Sequence, residues 1–331
     1  MACNRLDMIL SIVIPLYNCE RYISRCLEQI CSSGIDSELF EIVVINDGSK
    51  DGSDDEIHKF KNRYTSCNLT YIVTENQGAS AARNRGIEEA KGDFIWFVDA
   101  DDLIHPAFFS SIIKRLENCQ DDLICFNHAT ISLNNKTTEF NEFKEEIRLI
   151  GVDYLNRNPY NYVWNKIFRR SAIGEHRFLH GIKNTEDWLF IMTSVVKMQN
   201  VVCIPEIGYY YNTNNTGSTL RNKTIDNLKN NYADTQLVHG TLLDFIHQQK
   251  DEKALHVLKK ALNYSVIGFF YAMFVDRMPM YYVSNVINKY KSMGLYPPQK
   301  TFSKKAEKFR KFLRLRFIFL LALKMRERHD K

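Results

Sequence analysis

In the first 130 residues, short continuous apolar runs alternate with stretches whose apolar residues recur every three or four positions. MILSIVIPLY (8–17), FEIVVIND (40–47), LTYIVTE (69–75), DFIWFVDADD (93–102) and DLICFNHAT (122–130) are runs of the first kind. They predict strands, the first of them buried on both faces. Between them, CERYISRCLEQICSS (19–33) sets Tyr22, Ile23, Cys26, Leu27 and Ile30 at helical spacing, and Gly34 stops it. DGSKDGSDD reads as a turn and helix entry, GASAARNRGIEEAKG (78–92) as a helix between glycines, and His105-Pro106 as the opening of another. Strands alternating with helices imply a parallel sheet covered on both faces, with ligands bound outside the carboxyl ends of the strands. Three such ends carry polar residues: Pro15-Leu16-Tyr17-Asn18, Asn46-Asp47-Gly48-Ser49 and Asp99-Ala100-Asp101-Asp102. They are expected to converge on one edge.

The rhythm changes after residue 130. Residues 131–220 mix short strands, helices and loops, and from about 222 the pattern is helical. Tyr296-Pro297-Pro298 interrupts it before a last helix from about 303. In that helix Phe309, Phe312, Leu313, Arg316, Phe317, Leu320 and Leu323 recur at helical spacing. Its longest apolar run, Phe317 to Leu323, is seven residues, too short to span a bilayer, which takes about 20. There is no internal repeat and no low-complexity segment.

Composition narrows the class. Of 331 residues, 45% are apolar and 25% charged, which suits a soluble globular protein with a sizeable core. The net charge of +5 is uneven: Lys304 to Lys331 holds eleven Lys or Arg against three Asp or Glu, so a mildly acidic body precedes a basic tail. That amphipathic basic pattern suits either a helix in an anionic membrane interface or a helix packed on the body with a solvated end. The eight cysteines include no C-x-x-C pair and read as reduced core thiols of a cytosolic protein. The first residues run straight into a strand, and no signal peptide is expected.

Candidate chemistry lies at the strand ends. Asp99, Asp101 and Asp102 crowd like charges where a buried strand stops. Either a hard divalent cation sits between carboxylates there, or the run is an acidic solvated turn. Asp47 suits hydrogen bonds to a ribose or base, or an Asx-type turn. Small residues and Arg83 after Asn76-Gln77-Gly78 suit a nucleotide at a helix N-terminus, or close packing of that helix on the sheet. Glu186-Asp187 precedes an apolar run, where one carboxylate would complement a helix dipole and two are more than that needs.

Together the stretches SIVIPLYNCERYISRCLEQI, EIVVINDGSKDGS, ENQGASAARNRGI, GDFIWFVDADD, VWNKIFRR, TEDWLF and YYYNTNNTGST resemble family 2 glycosyltransferases, in the family's order, over about residues 8–220. The resemblance implies an α/β GT-A fold, with a Rossmann-like, mostly parallel central sheet flanked by helices. The helical C-terminal region would be an extension to it. It implies residues 1–105 as a nucleotide-sugar half, 106–220 as an acceptor half and 221–331 as the helical region. By this likeness the backbone around Pro15 and the side chain of Tyr17 line the nucleotide, Asp47 receives the base, and Arg83 packs near base and diphosphate. Asp99-Ala100-Asp101 is the D-x-D motif, with Asp99 and Asp101 on Mn²⁺ or Mg²⁺. Asp187 is the general base with Glu186 beside it, and Trp164-Asn165-Lys166 lies in the acceptor region.

The implied activity is inverting hexosyl transfer of a single sugar from a nucleoside-diphosphate sugar, UDP-linked. The acceptor is a glycan hydroxyl on a polyprenyl-diphosphate-linked oligosaccharide of surface polysaccharide. No nucleic acid is expected as partner. The basic tail would place the protein peripherally at the cytoplasmic face of the inner membrane. Processive synthases of this family carry Q-x-x-R-W, and none of Trp96, Trp164 and Trp188 completes that motif. A non-catalytic sugar-nucleotide or glycan binder would have lost Asp101 or Asp187, and both are present. A nucleotidyltransferase would show a Gly-rich basic loop after the first strand, and Leu16-Tyr17-Asn18-Cys19 is not one.

Overall fold

The structure is a computed structural model that describes residues 8–132, 136–158, 162–214, 224–300 and 304–328. The chain divides into two compact units, Met1–Tyr154 with Tyr160–Arg221, and Leu155–Pro159 with Asn222–Lys331. Residues 215–219 of the YYYNTNNTGST stretch, the last three residues of the basic tail, and Cys3 lie outside the described residues.

The first unit opens with β1 (Leu10–Leu16), α1 (Ile23–Cys31), β2 (Phe40–Asn46), α2 (Ser53–Arg63), β3 (Leu69–Val73), α3 (Ala79–Glu89) and β4 (Phe94–Phe97). It continues with β5 (Leu103–Ile104), α4 (Pro106–Leu116), β6 (Leu123–Ile131), β7 (Thr137–Phe140), β8 (Ile147–Leu149) and α5 (Gly151–Arg157), the last of which runs past Tyr154. Then come β9 (Lys166–Arg169), α6 (Arg170–Ile173), α7 (Glu186–Val195) and β10 (Val201–Asn212). Among the described residues the strands form one sheet, ordered β3-β2-β1-β4-β9-β6-β10-β5, with β7 on β6 and β8 on β10. β1 to β4 pair in parallel, as the apolar runs predict. β9 then enters antiparallel between β4 and β6, so the whole sheet is mixed.

Two local features shape the edge where strands end. β4 pairs with β1 only from Leu10 to Val13, so beyond Val13 the first strand has β2 alone as partner. That frees one side of β1 at Pro15, which has no amide to donate, and opens a gap between β1 and β4. The second feature is the approach of α3 to the sheet. A Cβ on Gly86 would lie 2.1 Å from Cγ1 of Val13, so only a glycine lets this helix lie as close as it does. Ala82, one turn earlier and 2% exposed, continues the same small face.

The thiol expectation needs correcting. Cys31, at the end of α1, and Cys67, in the loop before β3, form a disulfide with Cα atoms 5.9 Å apart. α1 and α2 pack side by side and bring together two residues 36 apart in sequence, which spacing alone does not reveal. Cys19, Cys26, Cys119, Cys125 and Cys203 are free thiols, all buried except the half-buried Cys19.

The second unit contains α8 (Ile225–His247), α9 (Glu252–Val275), α10 (Met280–Ser292), α11 (Lys304–Arg314) and α12 (Arg316–Arg328). Thr224 and Asp251 cap α8 and α9 through their side chains. In its core His239 meets the Tyr290 hydroxyl at 2.7 Å and Ser265 Oγ at 2.8 Å, and burial holds its imidazole down at about 3, hence neutral. The expected single tail helix is two helices, separated at Leu315. Of its predicted apolar stripe, Leu313 and Leu323 are buried, and Phe309 and Phe312 pack on Phe274 and Phe319, while the side chains of Arg316 and Phe317 lie outside the described residues. A different stripe is exposed, made of Leu315, Ile318, Leu321 and Met325. No helix among the described residues is long and apolar enough to cross a membrane.

The Gly86 contact sets an expectation. Gly86→Ala should cost about 1–3 kcal/mol of stability in urea unfolding, the range for overpacking a filled core. Adding Val13→Ala should return part of that loss. A neutral Gly86→Ala would show that the close approach of α3 is not needed.

Candidate active site

β1, β2 and β4 are parallel neighbours, so their carboxyl ends share one edge. Asn18 Oδ1 accepts from the Lys50 amide at 2.8 Å, and the Asn18 amide donates to Ser49 Oγ at 3.1 Å, tying the loops after β1 and β2 together. Tyr17 stands at this edge with 47% of its surface exposed. Asp47 is buried, and its two oxygens accept from the Gln77 and Gly78 amides, each at 2.8 Å. Gly78 makes this possible with φ of 92°, open to glycine. Asp47 therefore fastens the entry to α3 with donors from the chain itself.

The three carboxylates after β4 go three ways. Asp99 Oδ1 accepts from Arg83 Nη2 at 3.1 Å. Asp102 is 1% exposed, and it accepts from the Tyr209 hydroxyl at 2.8 Å and the Asn212 amide at 2.7 Å. Burial raises its carboxyl well above the usual range, and Asp99 and Asp101 raise it further. Asp102 is thus a pin that locks the turn to β10, and the Tyr209 hydroxyl also accepts from the Asp99 amide at 3.0 Å. Ala100 is buried and Asp101 part-exposed, with its carbonyl accepting from Asn212 Nδ2 at 3.0 Å.

Arg83 is the centre of the site. It is 5% exposed, and besides Asp99 it reaches Asp187 Oδ1 at 2.9 Å and Glu186 Oε1 at 3.1 Å through Nη1. Burial alone would lower its pKa, but Asp187, Asp99 and Glu186 more than reverse that and raise it. Its guanidinium lies 5.5 Å from the centre of the Phe178 ring. Asn84, next in sequence, exchanges two hydrogen bonds with the Phe178 backbone at 2.9 and 2.8 Å, which fixes that ring.

Glu186 and Asp187 reach this point because Thr185 turns the chain with φ of 65°, a left-handed conformation that costs a β-branched residue about 1–3 kcal/mol. Asp187 Oδ2 also accepts from the Val163 amide at 3.3 Å. Burial raises the Asp187 carboxyl; Arg83 pulls it down, and Glu186 and Asp99 push it up, leaving it at about 7. A carboxylate poised there is suited to take a proton at neutral pH.

Trp164, Asn165 and Lys166 are buried. Lys166 Nζ donates to Tyr162 O and Asn165 Oδ1, both at 2.7 Å, and holds up the segment that touches Asp187. Among the described residues no group of three or more His, Cys, Asp or Glu side chains gathers as a metal-holding cluster. The donors at this edge are two hard carboxylates, Asp99 and Asp101. Such a pair fits Mg²⁺ or Mn²⁺, which fill their coordination with phosphate oxygens and water.

Sequence reasoning gave no role to Tyr209, Asn84, Phe178 or the Val163 amide. Tyr209, Asn84 and Val163 lie inside stretches that carried the family resemblance. Val163 acts through its backbone amide and Phe178 through a ring position, and neither leaves a sequence signal.

A family model described as Glycosyl transferase family 2 matches residues 11–177, half of the chain. The chain belongs to glycosyl transferase family 2. Among family relatives, EpsH of Bacillus subtilis (strain 168), a protein that carries a glycosyltransferase name, is 32% identical over 220 residues, 61% of this chain and 60% of EpsH. TarS of Staphylococcus aureus, named as a poly(ribitol-phosphate) beta-N-acetylglucosaminyltransferase, is 23% identical over 282 residues, 83% of this chain and 48% of TarS. The chain thus matches 60% or less of the length of these two relatives. The crystal structure of TarS residues 1–349 with UDP superposes with a TM-score of 0.69 at 19% identity, over 98% of this chain and 92% of that one. The mannosyltransferase PcManGT of Pyrobaculum calidifontis, solved with GDP-Man and Mn²⁺, gives 0.55 at 15% identity, over 97% and 87%. The expected GT-A fold, α/β with a C-terminal helical extension, is the fold of this family 2 chain.

The Arg83 cluster predicts a pH-dependent stability difference. Arg83→Met should cost about 3–5 kcal/mol at pH 7.5, the range for removing one partner of a buried ion pair. In the variant Asp187, whose carboxyl burial already raises above its ordinary value, loses the Arg83 cation that pulls it down, so its folded pKa rises further above the unfolded one. Its native state then binds more protons than its unfolded state, and lowering the pH stabilises it relative to wild type. Urea unfolding at pH 5 and 7.5 checks this, since a gap that stays constant would mean the cluster is not held by charge.

Proposed function

We propose that this chain is an inverting glycosyltransferase that moves a single hexosyl unit from a UDP-linked sugar to a hydroxyl of a glycan acceptor. The observation that carries the reading is the convergence of Asp99, Glu186 and Asp187 on the buried Arg83, at the edge where β1, β2 and β4 end. The UDP assignment is supported by the solved TarS complex with UDP, and the surface-polymer setting by the name of TarS.

In this reading Pro15, Tyr17 and Asp47 line the nucleotide, and Arg83 orients Asp187 beneath the reacting centre. Asp187 accepts the proton of the attacking hydroxyl, which contributes about 10²–10⁴-fold by general-base precedent. Glu186 keeps the Asp187 carboxyl high enough to hold that proton. The hydroxyl attacks from the face opposite the diphosphate, so the anomeric centre inverts. Asp99 and Asp101 would hold Mn²⁺ or Mg²⁺, which when bound supplies Lewis acidity toward the leaving diphosphate.

A screen of purified protein against UDP- and GDP-sugars, reading nucleotide release with and without EDTA, tests the reading. Asp187→Asn should retain UDP binding and lose transfer by at least about 10²-fold. For wild type, kcat/KM should fall about tenfold per unit below pH 7, where the base becomes protonated. Release from no donor, or full activity of both Asp187→Asn and Glu186→Gln, would remove the proposal. A dead Glu186→Gln beside an active Asp187→Asn would exchange the two roles.

The acceptor is proposed to be linked to polyprenyl diphosphate, with the protein held peripherally at the cytoplasmic membrane face. The support is the exposed stripe Leu315, Ile318, Leu321 and Met325, with Lys311, Arg314 and Lys324 exposed beside it. Apolar burial and about 1 kcal/mol per surface-near cation would both contribute. Ile318→Asp with Leu321→Asp should abolish flotation with anionic liposomes while donor turnover in solution persists. Equal flotation of both proteins, or none by either, would leave the stripe without a membrane role.

A further inference from the structure

The first unit presents an aromatic stack whose outer ring, Tyr162, is half-exposed. Tyr162 is 51% exposed. Its ring lies on Trp164 with centroids 5.0 Å apart and planes 15° apart. Trp164 in turn stacks on the fully buried Tyr209 at 4.8 Å and on Tyr211 at 5.8 Å. His128 meets Trp164 edge-on at 4.7 Å and carries Phe140, 46% exposed, stacked at 4.8 Å. Tyr162 is fixed from both sides: its carbonyl accepts from Lys166 Nζ, and the next amide, of Val163, donates to Asp187 Oδ2. The residue that carries the outermost ring is therefore next in sequence to the amide that touches the proposed base.

Resting on the glycosyl-transfer reading above, we infer that Tyr162, backed by Trp164, is the acceptor platform and that it takes a pyranose ring, not an open-chain alditol phosphate. A pyranose presents a flat patch of C–H groups that an aromatic face covers by dispersion, with the electron-rich ring face toward the C–H hydrogens. An open-chain alditol has no such face. A phosphate-linked polymer would also look for a cation, and Lys166 beneath the platform is 1% exposed with its ammonium turned inward to Tyr162 O and Asn165 Oδ1. The segment that carries Tyr162 is tied to Asp187 through the neighbouring Val163 amide, which links the platform to the proposed base.

The test is saturation-transfer NMR on the full chain with UDP and diamagnetic Mg²⁺, using methyl β-glycosides of glucose, galactose and N-acetylglucosamine, and ribitol 5-phosphate. Wild type and Tyr162→Phe should saturate the ring protons of at least one pyranoside. Tyr162→Ala should lose about two- to tenfold of that signal, the range for one aromatic contact, with unchanged UDP affinity. Ribitol 5-phosphate should give the weakest signal. Equal signal in Tyr162→Ala, no pyranoside signal in wild type, or a preference for ribitol 5-phosphate would each overturn the inference. The measurement needs no turnover, so a protein that bound pyranosides through Tyr162 and released nucleotide from no donor would refute glycosyl transfer and leave this platform standing.

Discussion

One buried cation organises the edge where the first unit's parallel strands end. Arg83 comes from α3, Asp99 from the end of β4, and Glu186 and Asp187 from the first turn of α7. A guanidinium taken out of water is costly unless carboxylates surround it, and those carboxylates are costly without the guanidinium. Each therefore holds the other three in place. The geometry depends on α3 lying against β1, which Gly86 permits, and on the left-handed turn at Thr185 that brings two consecutive acids to one point.

The acidic run after β4 shows how like charges can be crowded in a folded chain. Asp99 is compensated by Arg83, Asp102 is buried against Tyr209 and Asn212, and Asp101 keeps partial access to solvent. Tyr209 works at both ends: its hydroxyl grips the acidic turn, and its ring is the buried member of the aromatic stack under Tyr162. The edge that would receive a nucleotide and the platform that would receive a sugar are thus joined through one side chain.

The helical unit follows a different logic. Its apolar residues are spent on packing aromatic rings of α9, α11 and α12 together, and the bend at Leu315 turns a second, smaller apolar stripe outward. The basic character of the tail is a property of composition. Which apolar residues accompany it at the surface is a property of the bend.

The inner strands and the helices of the first 130 residues were legible because burial on both faces of a parallel sheet demands continuous apolar runs, and the covering helices demand a 3.6-residue period; β3, at the sheet edge, is only part-buried. Short-range rules place Pro15, Asp47, Asp99 and Asp101 at the strand ends. Those rules could not show that β9 enters antiparallel, that Cys31 meets Cys67, or that the tail breaks into two helices. Each depends on contacts between residues far apart in sequence. The same holds for the site: residue types at the strand ends announced acid chemistry. That Arg83 binds three carboxylates from distant segments, and that Asp102 is a pin where Asp99 is not, was decided by tertiary packing, because a charge in a folded chain is defined by what burial leaves next to it.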